Sequence, residues 1–358
     1  MSGLFSVLIS LLVFNILVLV HEYGHFIVAV KNGILVEEFA IGMGPTVIKK
    51  RKGDTIYSLR LLPLGGFCRM LGEDEEDYDP RSFNSKTTFQ RMAVVVMGPV
   101  MNFVFAFFIV FVVAATANAV VYPKVVNVID GTDAQAQGLT AGDEIIAING
   151  EKIGTFQDMY LVLDGCNGND LQITVLRDGK EEKLTVKPSV SEDNRWIIGF
   201  TPTVKTGLFA KSVDGYERTN LIETVETSVY TMRYYIKSVV VGFVRLFTLN
   251  ITPQEVAGPI GIVQIMGDTV EEGLTYSVGS AVRSLMTIAA LLSTNLGAIN
   301  LFPIPAMDGG RLVFLIIETI RGKAIDKNKE GFIHFVGFVL LMVFMVLIAS
   351  NDIVRIFK

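Results

Sequence analysis

The sequence predicts a polytopic α-helical membrane protein with about four transmembrane helices, a membrane-associated β-rich loop and one extracytoplasmic α+β domain. Three observations predict it. Of 358 residues, 51% are hydrophobic and only 19% are charged, which is too apolar for an ordinary soluble chain of this length. Long apolar segments occupy residues 3–30, 92–121, 285 to about 299 and 331–350. Basic residues gather in the loop after the first segment, from Lys31 through Lys49, Lys50, Arg51 and Lys52 to Lys86.

The first segment is interrupted only by Ser6, Ser10 and Asn15 before His21. It exceeds the roughly 20 residues that a helix rising about 1.5 Å per residue needs to cross a bilayer. A secretory signal peptide would open on a basic stretch, and no Lys or Arg precedes Lys31, so a retained helix is expected. The loop that follows lies on the cytoplasmic side by the positive-inside rule, and the N-terminus lies outside. Its segments "EEFAIGMGP", "TVIKKRKGD" and "TIYSLRLLPLGGFCRML" read as short strands with turns at residues 42–45, 53–54 and 65–66. They are apolar enough to dip into the membrane. The acidic run at 72–79 reads as a solvated linker.

After the second apolar segment the chain stays outside until about residue 283. In "VVNVIDGTDAQAQGLTAGDEIIAINGEKI" a short helix, a Gly-Asp turn, a strand at 145–148 and an Asn149-Gly150 turn follow one another. "LQITVLRDGKEEKLTV" is a hairpin closed at Asp178-Gly179. The pattern, with "GLTAGDEIIAINGE" at its centre, resembles a PDZ domain, which binds an extended chain as an added strand. The plain alternative is a small β-rich domain that only packs. The stretch at 228–247 is apolar but carries Arg233, Lys237 and Arg245, so it is expected to lie against a membrane surface. "GPIGI" at 258–262 is a break. Residues 302–320 are apolar too, but Pro303, Pro305 and Gly309-Gly310 forbid one regular helix there. "RGKAIDKNK" returns the chain to the cytoplasm. Four regions follow: 1–121, first helices and β-rich loop; 122–205, PDZ-like domain; 206–282, membrane-surface connector; 283–358, C-terminal helices.

The net charge of −5 and the absence of a basic, aromatic-interleaved patch exclude nucleic acid as an expected partner. Cys68 and Cys166 fall on opposite sides of the membrane in this topology, so no disulfide is expected, and they form no zinc motif.

Functional expectations centre on His21-Glu22-Tyr23-Gly24-His25. Histidines at i and i+4 stand on one helix face, the spacing with which two imidazoles share a tetrahedral zinc. Glu22 is placed to take a proton from water at that metal. A histidine pair that only hydrogen-bonds within a core is the alternative, but burying three polar groups in lipid is too costly without a function. Catalytic zinc usually takes three protein ligands, and the candidate for the third is Asp308 in "NLFPIPAMDGGR", where irregular backbone at membrane depth implies a protein-lined cavity. A cytoplasmic Asp-Gly turn is the competing reading. His334 is expected to be a packed or interfacial residue.

Together, the first-helix HExxH, "GMGP", the external PDZ-like segment, "GPIGI" and "NxxPxPxxDGG" resemble the site-2 intramembrane metalloproteases, in particular the bacterial RseP/RasP-type. Met307 stands where that family usually has Leu. The resemblance implies a Zn2+ cofactor held by His21, His25 and Asp308, with Glu22 as catalytic base. It also implies Asn300 as a contact to substrate backbone or oxyanion; Pro303, Pro305, Gly42 and Gly44 complete the candidate substrate-binding set. The implied substrates are single-pass transmembrane proteins, of the anti-sigma factor or remnant signal peptide type, cut in the lipid bilayer after an upstream site-1 protease. The implied location is the bacterial plasma membrane, with the active site toward the cytoplasm. A membrane metal transporter and a non-catalytic PDZ scaffold are the alternatives. The first needs no glutamate between its histidines, and the second needs no intact ligand set.

Overall fold

The computed structural model describes residues 3–73, 77–191, 193–211, 215–248, 256–323 and 325–356. It comprises two compact units, residues 1–109 with 241–358, and residues 110–240. The central part of the acidic run, 74–76, lies outside the described residues.

The chain opens with α1 (Gly3–Lys31), then β1 (Val36–Lys52) and β2 (Thr55–Met70). A 3₁₀ turn, capped by the Ser82 side chain accepting from the Ser85 amide, leads into α2 (Thr88–Thr116). In the second unit come β3 (Val120–Val128), α3 (Asp133–Ala136), β4 (Glu144–Ile148), β5 (Glu151–Lys152) and α4 (Phe156–Asp164). These are followed by β6 (Leu171–Arg177), β7 (Lys180–Val186), β8 (Ser189–Val190), β9 (Trp196–Ile197) and β10 (Phe200–Lys205). α5 (Leu221–Phe247) bridges back to the first unit. The chain closes with α6 (Pro259–Tyr276), α7 (Val278–Leu301), α8 (Asp308–Arg321) and α9 (Lys327–Ile356). Among the described residues, α1, α2, α7 and α9 are long and apolar enough to cross a membrane. α7 begins at 278, earlier than its apolar stretch suggests, because the Ser277 side chain caps it by accepting from the Ser280 amide. α9 likewise extends beyond its apolar stretch at both ends.

β1 and β2 are long only in name. Phe39 pairs with both Cys68 and Tyr57, and Ala40 with both Phe67 and Ser58, while Lys49 also pairs with Ser58. The two strands therefore bend into four short runs, ordered 48–52, 55–59, 38–41 and 66–70 across a mixed sheet in which the central pair, 55–59 and 38–41, runs parallel and the two outer pairs run antiparallel. The bends fall where Gly42, Gly44 and Gly65 adopt positive φ, as the turn residues suggest. The run 66–70 is at one edge. Glu38, on the central run and 6% exposed, accepts hydrogen bonds from Ser58 Oγ at 2.6 Å, Arg60 Nη2 at 2.6 Å and Arg69 Nη2 at 2.9 Å. The buried carboxylate thereby ties three runs together.

In the second unit the sheet order is β10-β3-β4-β6-β7, with β5 on β4. Its core is formed by Ile145, Ile148, Leu171, Ile173, Val175 and Val186, all fully buried. α4, which no motif marked, starts at a capping box in which Thr155 and Asp158 satisfy each other's backbone amides. Asp143 has no solvent exposure and is held by Arg177 Nε and Nη2, both at 2.7 Å, and by the Thr140 amide at 2.9 Å. Burial opposes its ionisation, but these donors outweigh burial and hold the carboxyl below the usual range. Its stabilising contribution is therefore complete above the unfolded carboxylate pKa near 4 and is lost as pH falls through the lower folded value. Asp143→Ala at pH 7 is expected to cost about 3 kcal/mol by leaving Arg177 short of its partner. Amide hydrogen exchange of β4 and β6 in the full chain should accelerate by roughly two orders of magnitude, and unchanged protection would refute this.

Candidate metal centre

An apolar helix supplies the first half of the site. His21 and His25, on α1, are 7% and 8% exposed, and their Nε2 atoms lie 3.2 Å apart. Pro303 and Pro305 end the helical path after α7, and the chain then restarts as α8 with Asp308 in its first turn. That turn suits a carboxylate, since unpaired amides at a helix N-terminus favour negative charge. Asp308 Oδ2 lies 3.1 Å from His21 Nε2 and 3.4 Å from His25 Nε2. These three residues form the one group among the described residues whose donor atoms converge as metal ligands do.

The triangle fits zinc. Ligands on a tetrahedral centre with bonds of about 2.0–2.1 Å lie about 3.3–3.4 Å apart, close to the observed 3.1 to 3.4 Å. Asp308 Oδ2 is buried yet accepts no well-formed hydrogen bond, an expensive state that a cation in the triangle relieves.

Neighbouring elements fix this arrangement. His25 Nδ1 is 2.8 Å from the Val94 carbonyl of α2, which can only accept, so Nδ1 carries the hydrogen and Nε2 keeps its lone pair for the triangle. α2 comes this close because of two glycines. A Cβ on Gly24 would strike the Met97 carbonyl, and one on Gly98 would strike His25 Nε2. Gly98→Ala is therefore expected to displace His25 at about 1–3 kcal/mol, weakening zinc roughly 5- to 150-fold. Zinc titration of the variant checks this; wild-type affinity would show that the imidazole has room to move. Gly309 and Gly310 perform the same service for Asp308, since a Cβ on either would strike carbonyls of the 301–304 stretch. Ala306, between the prolines and Asp308, holds a left-handed φ of 72°. Its amide donates to His334 Nδ1 at 2.8 Å, so His334 braces the bend and stays out of the triangle.

A cavity of about 460 Å³ brings together His21, Glu22, His25, Asn300 and Asp308, with Phe67 to Met70 on its β2 side. Asn300 donates from Nδ2 to the Leu296 carbonyl at 2.9 Å. Pro303, Pro305, Gly42 and Gly44 are not among the residues lining it. The close approach that Gly42 permits is to the Leu62 carbonyl of its own sheet, and Pro305 packs against Gly337 of α9. The strand at the site is instead the edge run 66–70, where Gly66 sits beside Glu22. Sequence reasoning missed Val94, Gly98 and Asn102 of α2. Asn102 is fully buried with Nδ2 at 3.1 Å from His21 Nδ1, and a lone asparagine in an apolar span was a readable signal for it.

A helix-borne HExxH, a carboxylate arriving from a proline-broken segment and four apolar helices together define a membrane-embedded metallopeptidase class, and the comparisons agree. Residues 9–344 match the model of peptidase family M50, and the chain belongs to that family. A chain from Clostridium perfringens is 37% identical over 354 residues, covering 97% of this chain and 98% of the relative. The zinc metalloprotease RasP of Geobacillus kaustophilus is 32% identical over 432 residues, covering 98% of each chain. The regulator of sigma-W protease RasP of Bacillus subtilis is 29% identical over 439 residues, covering 98% and 99%. The protein is thus a multi-pass membrane zinc metalloprotease, a site-2 protease of the RasP type.

Proposed function

We propose that the protein is an intramembrane endopeptidase that cuts transmembrane segments of single-pass membrane proteins at a zinc held by His21, His25 and Asp308. The observation that carries this is the convergence of three ligand-type atoms, two from an apolar helix and one from the proline-broken segment that opens α8, beside an edge strand. The relative named for sigma-W regulation supports substrates of the anti-sigma factor type, with remnant signal peptides as the second class. An upstream site-1 protease prepares such substrates. The basic loops at 31–86 and 321–329 support an active site toward the cytoplasm of a bacterial cell, with the N-terminus and the 122–205 domain outside. That domain is of PDZ type in this reading and selects substrates rather than performing chemistry.

Zinc held by His21, His25 and Asp308 would supply Lewis acidity, which polarises a peptide carbonyl and lowers the pKa of water to about 7. Glu22, in the same cavity, takes the proton from the attacking water and delivers it to the leaving amine. Asn300 holds the substrate backbone or the developing oxyanion. A transmembrane helix hides its carbonyls in i to i+4 hydrogen bonds, so the substrate must unwind, and unwound backbone in lipid needs partners. The outer edge of the run 66–70 supplies them by strand addition.

The test is a matched pair of transmembrane peptides of equal affinity, one Ala-rich and one with glycine near the scissile bond, each with and without a chelator. Each Gly for Ala lowers the cost of unwinding by about 1 kcal/mol, so the glycine peptide should be cut roughly fivefold faster per substitution. Chelator should stop both. Equal rates would remove unwinding from the reaction path, and chelator-resistant cleavage would remove zinc.

A further inference from the structure

Asn102 stands in a span of α2 that is otherwise apolar from residue 92 to 115. Such a buried amide requires partners. One end has a partner and the other has none: Nδ2 lies 3.1 Å from His21 Nδ1, and Oδ1 is buried with no hydrogen bond. The side chain has little freedom to look elsewhere. Gly297 of α7 closes over its Cβ, and Ser293 Oγ donates to its backbone carbonyl at 2.9 Å.

This contact decides which nitrogen of His21 can bind metal. An imidazole that offers Nε2 to a cation carries its hydrogen on Nδ1 and needs an acceptor there. His25 has one in the Val94 carbonyl. Among the described residues, His21 Nδ1 has only Asn102. With Nδ2 facing the ring, His21 Nδ1 accepts and the hydrogen sits on Nε2, turned toward His25 and Asp308, where a ligand needs a lone pair. A half-turn of the amide exchanges two groups of nearly equal size, brings Oδ1 onto His21 Nδ1–H and frees Nε2. The same half-turn takes the unpaired oxygen out of its partnerless position. The nitrogen takes the place that Oδ1 leaves, so the half-turn changes which group faces His21, and a cation in the triangle gives Asp308 Oδ2 a charged partner.

We propose that Asn102 is the positioning residue of the metal centre: its amide oxygen accepts from His21 Nδ1–H and so holds His21 with the Nε2 lone pair facing His25 Nε2 and Asp308 Oδ2. The proposal rests on His21 being a zinc ligand. Asn102 touches neither the cation nor the substrate, and it acts through the orientation and hydrogen placement of one ring. Outer partners of this kind are worth about 10- to 100-fold in metal affinity.

The experiment measures zinc affinity of the full-length protein in detergent micelles by competition with a chromophoric chelator, together with the visible spectrum of the cobalt(II)-loaded form. The set is wild type, Asn102→Leu, Asn102→Asp, His21→Ala and Ser293→Ala. Asn102→Leu keeps the shape and removes the acceptor, so Kd should rise about 10- to 100-fold, with an altered cobalt spectrum. Asn102→Asp can accept but not donate, and it should recover most of the loss; had the amide nitrogen been the working contact, it would be as weak as the leucine variant. Ser293→Ala loosens the same helix contact without touching the amide and should bind zinc as wild type does. Wild-type affinity in Asn102→Leu, equal weakness in the aspartate and leucine variants, or a comparable loss in Ser293→Ala would each overturn the proposal. If the leucine variant does not fold, the aspartate variant decides: near-wild-type affinity supports the proposal, and a loss of tenfold or more overturns it. His21→Ala separates the two levels of inference. Lost zinc there with an indifferent Asn102 defeats this proposal alone, whereas retained zinc defeats the ligand assignment beneath it.

Discussion

Glu22→Gln should retain stoichiometric zinc and lower kcat by about 10²- to 10⁴-fold, the range of a general acid–base contribution. The amide matches the carboxylate in size, so the packing of α1 against the 66–70 run is preserved, with Gly66 still leaving room beside the side chain. What is lost is the ability to take a proton from water. Glu22 lines the cavity shared by His21, His25 and Asp308 but is not part of the triangle they form, so metal content should not follow activity. The check is peptide turnover by purified protein alongside its zinc content. Turnover near the wild-type rate would exclude Glu22 as the base.

Asp308→Ala should show the opposite pattern, with loss of metal first and loss of activity as its consequence. Removing a ligand should weaken zinc by more than the roughly 10- to 100-fold that outer partners contribute. The same holds for His21→Ala and His25→Ala. Asp308 is the most informative of the three because it reaches the site from α8, far along the chain from the histidines. Its substitution leaves α1 and its contacts with α2 intact. Chelator titration should therefore separate the ligand variants from Glu22→Gln, and a ligand variant with wild-type affinity would place the third donor elsewhere.

Much of this was legible because hydropathy and short-range spacing are one-dimensional properties. The four spans, the i, i+4 histidine pair and the proline-broken approach to Asp308 each depend on residues close together in sequence. The turns at 42–45, 53–54 and 65–66 were also readable, since glycines at positive φ mark where β1 and β2 bend. What stayed hidden depends on packing. Nothing local says that the run 38–41 lies between 55–59 and 66–70, or that the edge run rather than Gly42 and Gly44 reaches the metal cavity. Val94 and Gly98 are unremarkable in an apolar helix until α1 is laid against α2 and the histidine rings fill the space that Gly98 leaves. Asn102 is the intermediate case, visible as an oddity in its span but given meaning only by His21. α4 escaped because a nine-residue helix in a polar loop carries too little periodicity to stand out.

The central claim is that one zinc is held by His21, His25 and Asp308. Its most direct test is the zinc stoichiometry of the purified full-length protein by elemental mass spectrometry after exhaustive dialysis, for wild type, Glu22→Gln and Asp308→Ala. Stoichiometric zinc in the first two and near-complete loss in the third is the predicted result. Undiminished zinc in Asp308→Ala would contradict the account.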